Sequence, residues 1–345
     1  MRTCRITIYF RVAIVLSIGT FIYLLTSGKH HRPTQNREGS RLMMGFHIGP
    51  DGEPTNHQAS IREMIIENVQ LKRRRNLEKH CHRKPSNSLP VYAQRHTYVV
   101  DKYRLMYCFI PKVGCSNWKR IMMVLHGQKT NVDHLTSGEV HKTATMPFLT
   151  AYSKTQQAKK ISNYTKFLFI RHPFKRLLSV YKNKFESLSY YRGNPHFHRY
   201  GKHIIKRWRE NPAPHALDTG EGVTWPEFVD YLIHLPERKR FEKDDYFNDH
   251  WREMYKICAP CSVKYDFIGN LEDVVDESKY LLDRLHISDK VRYLSSDSSR
   301  PTNSSDLSTY NKYFGMLDNE QILGLWKIYK VDFLLFGYDK PDFVP

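Results

Sequence analysis

The fold is indicated by a stretch in which an apolar run leads through a tight loop into a helix. The chain reads LMYCFI at residues 105–110, PKVGCSN at residues 111–117 and WKRIMMVL at residues 118–125. A short apolar run that ends at a turn is typical of a buried strand, and the apolar spacing after the loop predicts a helix. The stretch therefore predicts one strand–loop–helix unit of an α/β fold.

The loop of this unit has the residue types of an anion-binding loop. Gly114 lets the backbone approach an anion, Lys112 supplies a mobile positive charge, and Ser116 or Asn117 can cap the helix. A helix N-terminus after a strand presents backbone N–H groups to a phosphate. The Walker pattern GxxxxGK[ST] is absent from the sequence, and an ordinary strand-to-helix turn is the alternative interpretation.

A second unit of the same kind follows at residues 166–185. The apolar run KFLFI at residues 166–170 predicts a buried strand, and RHPF follows it directly. Pro173 suits the first turn of a helix, and Arg176, Ser179 and Asn183 share one face of that helix. Arg171 at the strand end and Ser179 on the helix together predict a second anion site. The alternative is an ordinary surface helix with an incidental serine.

Short apolar runs alternate with amphipathic stretches from Tyr92 onward. This alternation predicts an α/β fold in which a central parallel sheet is flanked by helices. The chain has 345 residues, of which 40% are hydrophobic, so it is long and apolar enough to fold around a substantial core.

The charge balance is strongly basic. Lysine and arginine number 54 against 35 acidic residues, which gives a formal net charge of +19. Such a surface attracts polyanions, and nucleic acid, an acidic membrane surface and an acidic polysaccharide all have the right sign.

The amino terminus argues against nucleic acid. Residues 6–26 contain a single charge, Arg11, and are long enough to span a bilayer as a helix. Arg2 and Arg5 precede them, so the positive-inside rule predicts a cytosolic tail at residues 1–5 and a transmembrane signal anchor at residues 6–26. A cleaved signal peptide is the alternative. We expect a lumenal stem at residues 27–90 and a lumenal catalytic domain at residues 91–345.

Two further features fit a lumenal location. Asn163 and Asn303 each begin an N-glycosylation sequon. Five cysteines follow the predicted anchor, and an odd number leaves at least one of them free or paired between chains. The CxxC at residues 258–261 has no second pair, so we expect a local or longer-range disulfide rather than a metal site.

Two basic stretches lie outside the strand–helix units. Residues 196–209 read HFHRYGKHIIKRWR, where basic side chains alternate with aromatic ones that can stack on sugar rings. We expect a polyanion-binding surface here, with a solvated amphipathic helix as the alternative. The run at residues 72–75 is KRRR, for which a solvated helix face is preferred over a polyanion contact.

Together these motifs resemble the Golgi carbohydrate sulfotransferases of the HNK-1 sulfotransferase family, which includes chondroitin, dermatan and N-acetylgalactosamine 4-O-sulfotransferases. The resemblance covers about residues 92–343. It is most specific in YCFIPKVGCSNWKR (107–120), KFLFIRHPFKRLLSVYKNKF (166–185), CAPCSVKYDFIG (258–269) and YKVDFLLFGYDKP (329–341). The resemblance implies a P-loop-like sulfotransferase fold.

In that family the first motif holds the 5′-phosphosulfate of 3′-phosphoadenylyl sulfate (PAPS), the sulfonate donor, and the second holds its 3′-phosphate. By position, the resemblance implies donor-binding residues Pro111, Lys112, Val113, Gly114, Cys115, Ser116 and Asn117, followed by Arg171, His172, Pro173, Phe174, Lys175, Arg176, Leu177, Leu178 and Ser179. Relatives usually have an acid where this chain has His172. We expect altered local pairing at that position and retained donor binding.

Sulfonyl transfer needs a cation on the departing phosphate oxygen and a base for the sugar hydroxyl. Lys112 is the candidate cation. His141, which lies in a Glu-Val-His stretch similar to one in relatives, is preferred as the base over His250. The scheme needs no metal. The predicted acceptor-binding residues are Arg199, Lys202, Lys206 and Arg207.

The resemblance implies transfer to the 4-hydroxyl of N-acetylgalactosamine in chondroitin- or dermatan-type glycans. A terminal glucuronate sulfated at its 3-hydroxyl is the alternative acceptor, because the C-terminal sequence FGYDKPDF resembles the HNK-1 enzyme itself. A non-catalytic lumenal glycosaminoglycan-binding protein is the alternative from another class. Two nucleotide-phosphate sites argue against it, because glycan binding alone has no need of them.

Overall fold

The centre of the fold is a sheet whose strands follow the chain in the order β1-β2-β3-β4. The strands are β1 Thr97–Val100, β2 Leu105–Cys108, β3 Thr165–Ile170 and β4 Phe267–Asn270. β2, β3 and β4 are parallel, whereas β1 runs antiparallel to β2. The predicted α/β class and flanking helices are confirmed, but the sheet is not wholly parallel. A 3₁₀ turn at Asp101–Tyr103 joins β1 to β2, and so short a link allows only an antiparallel pair.

The structure is a computed structural model that describes residues 56–82, 85–86, 88–142, 146–235, 248–294 and 302–345. Residues 56–345 form one compact unit. The predicted cytosolic tail and signal anchor, and the first part of the predicted stem, lie outside the described residues. Within the described ranges, no helix is both long enough and apolar enough to cross a membrane.

In the chain, helices lie before, between and after the strands. Their bounds are α1 Asn56–His80, α2 Val91–Gln94, α3 Cys115–Leu125, α4 Ser137–Lys142, α5 Lys154–Asn163, α6 Pro173–Tyr181, α7 Leu188–Arg192, α8 His198–Trp208, α9 Pro214–Thr219, α10 Trp225–His234, α11 Met254–Cys258, α12 Val274–Arg284, α13 Leu307–Phe314 and α14 Asn319–Phe336. A single π-helical turn, Lys182–Glu186, follows α6.

Two apolar clusters hold these elements together. One surrounds the sheet, where the Tyr107 and Phe167 rings stack 4.8 Å apart and Trp118 packs edge-on against Phe167. The other joins α6 to the later helices through Phe174, Trp251 and their neighbours. β2 and β3 are parallel, so the two predicted anion loops, which follow the carboxyl ends of these strands, lie at the same edge of the sheet.

Helix α1 covers the outer edge of β4. The buried Gln70 side chain accepts from the backbone N–H of Ile268 at 2.9 Å and donates to its carbonyl at 3.0 Å, as a neighbouring strand would. Arg73 donates to Glu277 at 2.7 Å. The basic run at residues 72–75 is therefore neither wholly solvated nor free for a polyanion, because Arg73 and Arg74 bind groups of the domain itself.

Disulfides join distant parts of the chain. Cys81 pairs with Cys261 and Cys108 pairs with Cys258, across 180 and 150 residues. Cys115 is free and buried. The sequence left a local and a longer-range disulfide open at the CxxC, and the structure has the longer-range kind, with a different partner for each of the two cysteines. The first disulfide ties the end of α1 to the domain.

Candidate active site

The first loop leaves β2 and turns sharply into α3. Lys112 and Gly114 both have left-handed backbones, with φ of 69° and 77°. A Cβ on Gly114 would lie 2.2 Å from the Tyr293 hydroxyl oxygen, so the position needs glycine for space as well as conformation. Gly114 itself occupies the N-cap of α3, without a side-chain cap. The predicted capping by Ser116 or Asn117 is wrong, because α3 begins earlier than expected.

Lys112 lies in the centre of this loop. Its Nζ donates to Asn183 Oδ1 at 3.2 Å. Burial, followed by the charges of Lys184 and Arg171, lowers the pKa of Lys112 to about 7. So low a pKa means that the described groups of the site do not compensate the ammonium of Lys112. A bound anion would raise this pKa again.

The second loop brings Arg171 to the same place. Arg171 Nη1 donates to the Lys112 carbonyl at 3.2 Å, which joins the two loops directly. Its Nη2 donates to the hydroxyls of Ser304 and Ser305 at 2.9 and 2.8 Å. Arg171 Nε is buried and has no hydrogen-bond partner among the described residues.

Ser179 completes a row of hydroxyls beside Arg171. Its Oγ lies 3.0 Å from Thr302 Oγ1, which lies 2.9 Å from Ser304 Oγ. Arg171 and Ser179, which together predicted the second anion site, therefore both contact one polar cluster at residues 302–305. The only signal in this segment of the sequence is the glycosylation sequon at Asn303, which does not point to these hydroxyls. Their arrangement around a guanidinium suits a phosphate.

Arg176 is a structural link between segments. It is 1% exposed, and its three guanidinium nitrogens donate to the backbone carbonyls of Pro111, Arg252 and Asp249. The side chains of Val113, Phe174, Leu177 and Leu178 are likewise buried in apolar surroundings. These members of the predicted donor set support the loops through buried packing.

His172 is the position at which the resemblance predicts altered local pairing. His172 is the N-cap of α6, and its ring Nδ1 accepts from the backbone N–H of Lys175. The backbone N–H of His172 donates to Glu272 at 3.1 Å. Burial, then the charge of Lys175, lowers the pKa of His172 to about 3. The neutral ring is the cap acceptor, and it packs against Phe333 and Tyr338.

Both candidate bases lie near Lys112. His141 Nε2 lies 3.1 Å from Ser116 Oγ of the first loop, and burial, then the charge of Lys119, lowers its pKa to about 4. His250 lies close enough for the Lys112 charge, after burial and the Lys184 charge, to lower its pKa well below 6.5. The structure thus brings both histidines to one site, and both are neutral at pH 6–7.

Asn248 determines the tautomer of His250. Asn248 Oδ1 accepts from the His250 backbone N–H at 3.0 Å and lies 2.6 Å from His250 Nδ1. Since that oxygen only accepts, Nδ1 carries the proton and Nε2 carries a lone pair. Asn248 was not among the residues predicted from the sequence.

The predicted acceptor surface is the outer face of α8. Arg199, Lys202, Lys206 and Arg207 are exposed there, whereas Ile204 and Ile205 on the opposite side are buried. Arg209, also part of the basic stretch, forms an ion pair with Glu227 at 2.7 Å. α8 has a solvated basic face in this structure, and glycan binding by it stays a prediction.

Asn163 and Asn303, the predicted glycosylation sites, are both exposed. Among the residues that the structure describes, no group of three or more His, Cys, Asp or Glu side chains is arranged to hold a metal.

Comparison with known proteins decides the family. Residues 95–339 match the sulfotransferase family. The chain belongs to the sulfotransferase family. It is 38% identical to carbohydrate sulfotransferase 11 of Mus musculus, over 72% of this chain and 69% of that protein. It is 32% identical to carbohydrate sulfotransferase 8 of Mus musculus, over 84% and 68% of the two chains.

A third relative is carbohydrate sulfotransferase 14 of Danio rerio, 34% identical over 72% of this chain and 63% of that protein. No solved structure matches this sulfotransferase at a significant level. The resemblance inferred from the motifs is confirmed, and the chain is an enzyme. Sulfotransferases of this family generally use PAPS as sulfonate donor.

The site fits such a donor. PAPS carries a phosphosulfate and a separate phosphate, and the structure offers a cation for each in Lys112 and Arg171. Arg171 Nε is buried without a described hydrogen-bond partner, and the pKa of Lys112 is low. Both observations indicate positive charge that a bound anion would stabilise. Neighbouring strand ends and a helix N-terminus are where such ligands bind in open α/β sheets.

Proposed function

We propose that the chain is a single-pass type II enzyme of the Golgi membrane. It transfers sulfonate from PAPS to the 4-hydroxyl of N-acetylgalactosamine in chondroitin- or dermatan-type glycans. The observation that carries the nucleotide part is the junction of the two loops, where Arg171 bonds to the Lys112 carbonyl and keeps an unsatisfied Nε. The acceptor part rests on the motif resemblance and on the basic face of α8.

The residues have separate roles in this scheme. The donor supplies the sulfonyl group and a phosphate leaving group. Lys112 binds the leaving phosphate oxygen, which receives the electron pair of the broken S–O bond. Arg171, with the hydroxyls of Ser179 and residues 302–305, binds the 3′-phosphate. His141 accepts the proton of the sugar hydroxyl as its oxygen bonds to sulfur, with His250 as the alternative base.

The geometry favours His141 as the base for one reason. Its Nε2 contacts Ser116, a residue of the loop that would hold the phosphosulfate, so the imidazole would lie beside the donor group. A neutral imidazole has the lone pair that a general base requires.

The test incubates the full-length chain with sulfur-labelled PAPS and three acceptors, namely desulfated chondroitin, desulfated dermatan and a glucuronate-capped glycan. The variants are Lys112→Met and Arg171→Met, and Lys330→Met on the exposed side of α14 is the control. We expect label on the galactosamine 4-hydroxyl, lost in both site variants and kept in the control.

Other outcomes separate the parts of the proposal. Label only on glucuronate would replace the acceptor and keep the two phosphate sites. Binding of adenosine 3′,5′-bisphosphate without transfer to any acceptor would contradict the acceptor assignment. Failure of the wild-type chain to bind that nucleotide would contradict the assignment of Lys112 and Arg171.

A further inference from the structure

The short segment at residues 248–252 supports the candidate site in two ways. It includes the candidate base His250, whose ring Nδ1 bonds to a side chain of the same segment. Two of its carbonyl oxygens accept from Arg176, and Arg176 also donates to the carbonyl of Pro111, where the first loop begins. The position of this segment therefore affects both a candidate base and the loop that carries the candidate leaving-group cation.

Trp251 and Asp249 anchor this segment to the rest of the domain. The Trp251 side chain is fully buried, and its carbonyl oxygen accepts from the Tyr329 hydroxyl at 2.6 Å. The Asp249 carboxyl reaches the residues that lead into β1. Its Oδ1 accepts from the hydroxyl of Tyr92 in α2, and its Oδ2 lies 3.0 Å from Nε2 of His96, the residue before β1. Asp249 thus joins the segment to the edge of the sheet.

The contact between His96 and Asp249 requires a shared proton. His96 Nδ1 lies 2.9 Å from the Tyr92 carbonyl oxygen, and Nε2 lies 3.0 Å from Asp249 Oδ2. A carbonyl oxygen only accepts, so Nδ1 carries a proton. Nε2 and Oδ2 can then form a hydrogen bond only with one more proton, which lies on the ring or on the carboxyl. The pair therefore binds one proton more than a neutral imidazole beside a carboxylate.

The surroundings favour a neutral ring and a protonated carboxyl. Burial lowers the pKa of His96 to about 3, and three nearby cations add to this effect. They are Lys119, Arg252 and Arg95. Burial raises the pKa of Asp249, and the charge of Arg252 opposes this rise. The shared proton is therefore assigned to Asp249, whose carboxyl donates it to His96 Nε2.

We propose that His96 and Asp249 are positioning residues for sulfonyl transfer, which hold the segment 248–252 in place through their shared proton. This rests on the proposed function, because the segment acts through His250 and through the bond from Arg176 to the loop that would hold the phosphosulfate. When the proton is lost to solvent, a carboxylate faces a lone pair of the ring and the contact becomes repulsive. The positioning effect is thus present at low pH and is lost as the pH rises through the apparent pKa of the pair.

The test uses a variant that copies the protonated carboxyl at every pH. In Asp249→Asn the amide oxygen can accept from Tyr92 while the amide N–H donates to His96 Nε2. Asp249→Ala and His96→Phe remove the contact. The full-length chain is assayed for kcat/KM with sulfur-labelled PAPS, at a temperature where thermal unfolding shows every variant to be folded. We expect the two disrupting variants to lose on the order of 10- to 100-fold in kcat/KM at pH 6, and Asp249→Asn to recover most of this loss.

The pH profile is the readout that a merely structural contact would not change. Lys112 itself has a pKa of about 7, so it lowers activity at high pH in the wild type and in Asp249→Asn alike. The ratio of kcat/KM in Asp249→Asn to that in the wild type therefore isolates the pair. We expect this ratio to rise with pH between about pH 5 and 9. We also expect the double variant His96→Phe with Asp249→Ala to lose no more activity than either single variant, because both remove one contact.

Asp266→Ala is the matched control. Asp266 is also a partly exposed carboxylate bonded to the sheet, since its Oδ2 accepts from the Lys166 backbone N–H at 2.8 Å and pairs with Lys166 Nζ. It lies beside the start of β3, at the edge of the sheet away from the two anion loops. We expect this variant to lose stability and to keep kcat/KM at a constant ratio to the wild type at every pH.

The contrary outcomes are distinct. A constant ratio of Asp249→Asn to wild type over the pH range would show that the contact holds no titrating proton, and would overturn the proposal. So would wild-type kcat/KM in folded Asp249→Ala and His96→Phe, because the contact would then act on stability alone. If those two variants do not fold, the pH ratio of Asp249→Asn decides. If the wild-type chain binds neither PAPS nor adenosine 3′,5′-bisphosphate, the proposed function fails before this inference is reached.

Discussion

Arg176 and Pro111 are 65 residues apart in the chain, and Arg176 Nε donates a hydrogen bond of 2.9 Å to the Pro111 carbonyl oxygen. The bond fixes the start of the first loop to helix α6, which follows the second loop. The same guanidinium also holds the carbonyls of Asp249 and Arg252, on either side of His250. One buried side chain thus orients the Lys112 loop and the His250 segment toward each other.

The binding of adenosine 3′,5′-bisphosphate should depend on pH through Lys112. The pKa of Lys112 is about 7 in the free protein, below its ordinary 10.5, so the side chain is charged below pH 7 and neutral above it. The nucleotide favours the ammonium, and binding above pH 7 therefore takes up a proton. We expect affinity to fall by up to about tenfold per pH unit between pH 7 and 9.

Calorimetry in buffers of different ionisation enthalpy would measure both the affinity and the proton uptake. Lys112→Met should bind weakly with a flat profile over this range. Lys112→Arg should bind with a flat profile as well, since its charge persists. An unchanged slope in Lys112→Met would show that another group titrates.

Replacement of the base should lower kcat and spare nucleotide binding. We expect His141→Ala to reduce kcat by about 10²- to 10⁴-fold, and His250→Ala to reduce it less. The pKa of His141 is lowered to about 4, so its lone pair is lost only as the pH falls toward that value. The acidic limb of kcat/KM should accordingly lie below pH 6.5. A larger loss in His250→Ala would transfer the role to His250.

The basic face of α8 should govern the KM for acidic glycans. Replacing Lys202, Lys206 and Arg207 together by glutamate reverses an exposed charge without touching the buried face of the helix. We expect the acceptor KM to rise about tenfold or more, and the effect of salt on KM to weaken, because steering by exposed charge is screened. The KM for PAPS should stay unchanged. An equal rise in both KM values would indicate a change in the fold.

Arg73→Met should destabilise the enzyme by detaching α1 from β4. Its partner Glu277 has a side chain only 4% exposed, and breaking such a buried pair costs about 3–5 kcal/mol. Burial already raises the pKa of Glu277, and loss of Arg73 removes a charge that lowers it. The variant should therefore lose more stability at pH 8, where the carboxylate is ionised, than at pH 5.

Urea unfolding at the two pH values measures this difference. Arg75→Met, on the exposed side of the same helix, is the control and should change stability by no more than about 0.5 kcal/mol. Equal losses in the two variants would mean that the Arg73 contact with Glu277 does not hold the helix.

The disulfide between Cys81 and Cys261 should contribute to stability as a unit. Cys81→Ser and Cys261→Ser each open a link across 180 residues, and we expect a loss of about 2–5 kcal/mol from either change. The double variant should lose no more than either single one, because both remove the same bond. Thermal unfolding under non-reducing conditions measures all three, and additive losses would contradict the pairing.

The sequence by itself determined the local parts of this enzyme. Apolar runs before PKVGCSN and RHPF indicated β2 and β3, because a buried strand and the turn after it are encoded in adjacent residues. The same motifs indicated the family and predicted Lys112, Arg171 and Ser179 as donor-binding residues. Cysteine number and spacing indicated disulfides, although not their partners.

Only the tertiary structure decided which distant residues complete the site. The hydroxyls at residues 302–305 meet Arg171 across more than 130 positions. Asn183 lies inside a recognised motif, but the π turn that brings it to Lys112 depends on packing. Asn248 contacts His250 within a segment whose backbone Arg176 holds at Asp249 and Arg252. Such contacts arise when strands and helices pack, and no local spacing in the chain encodes them.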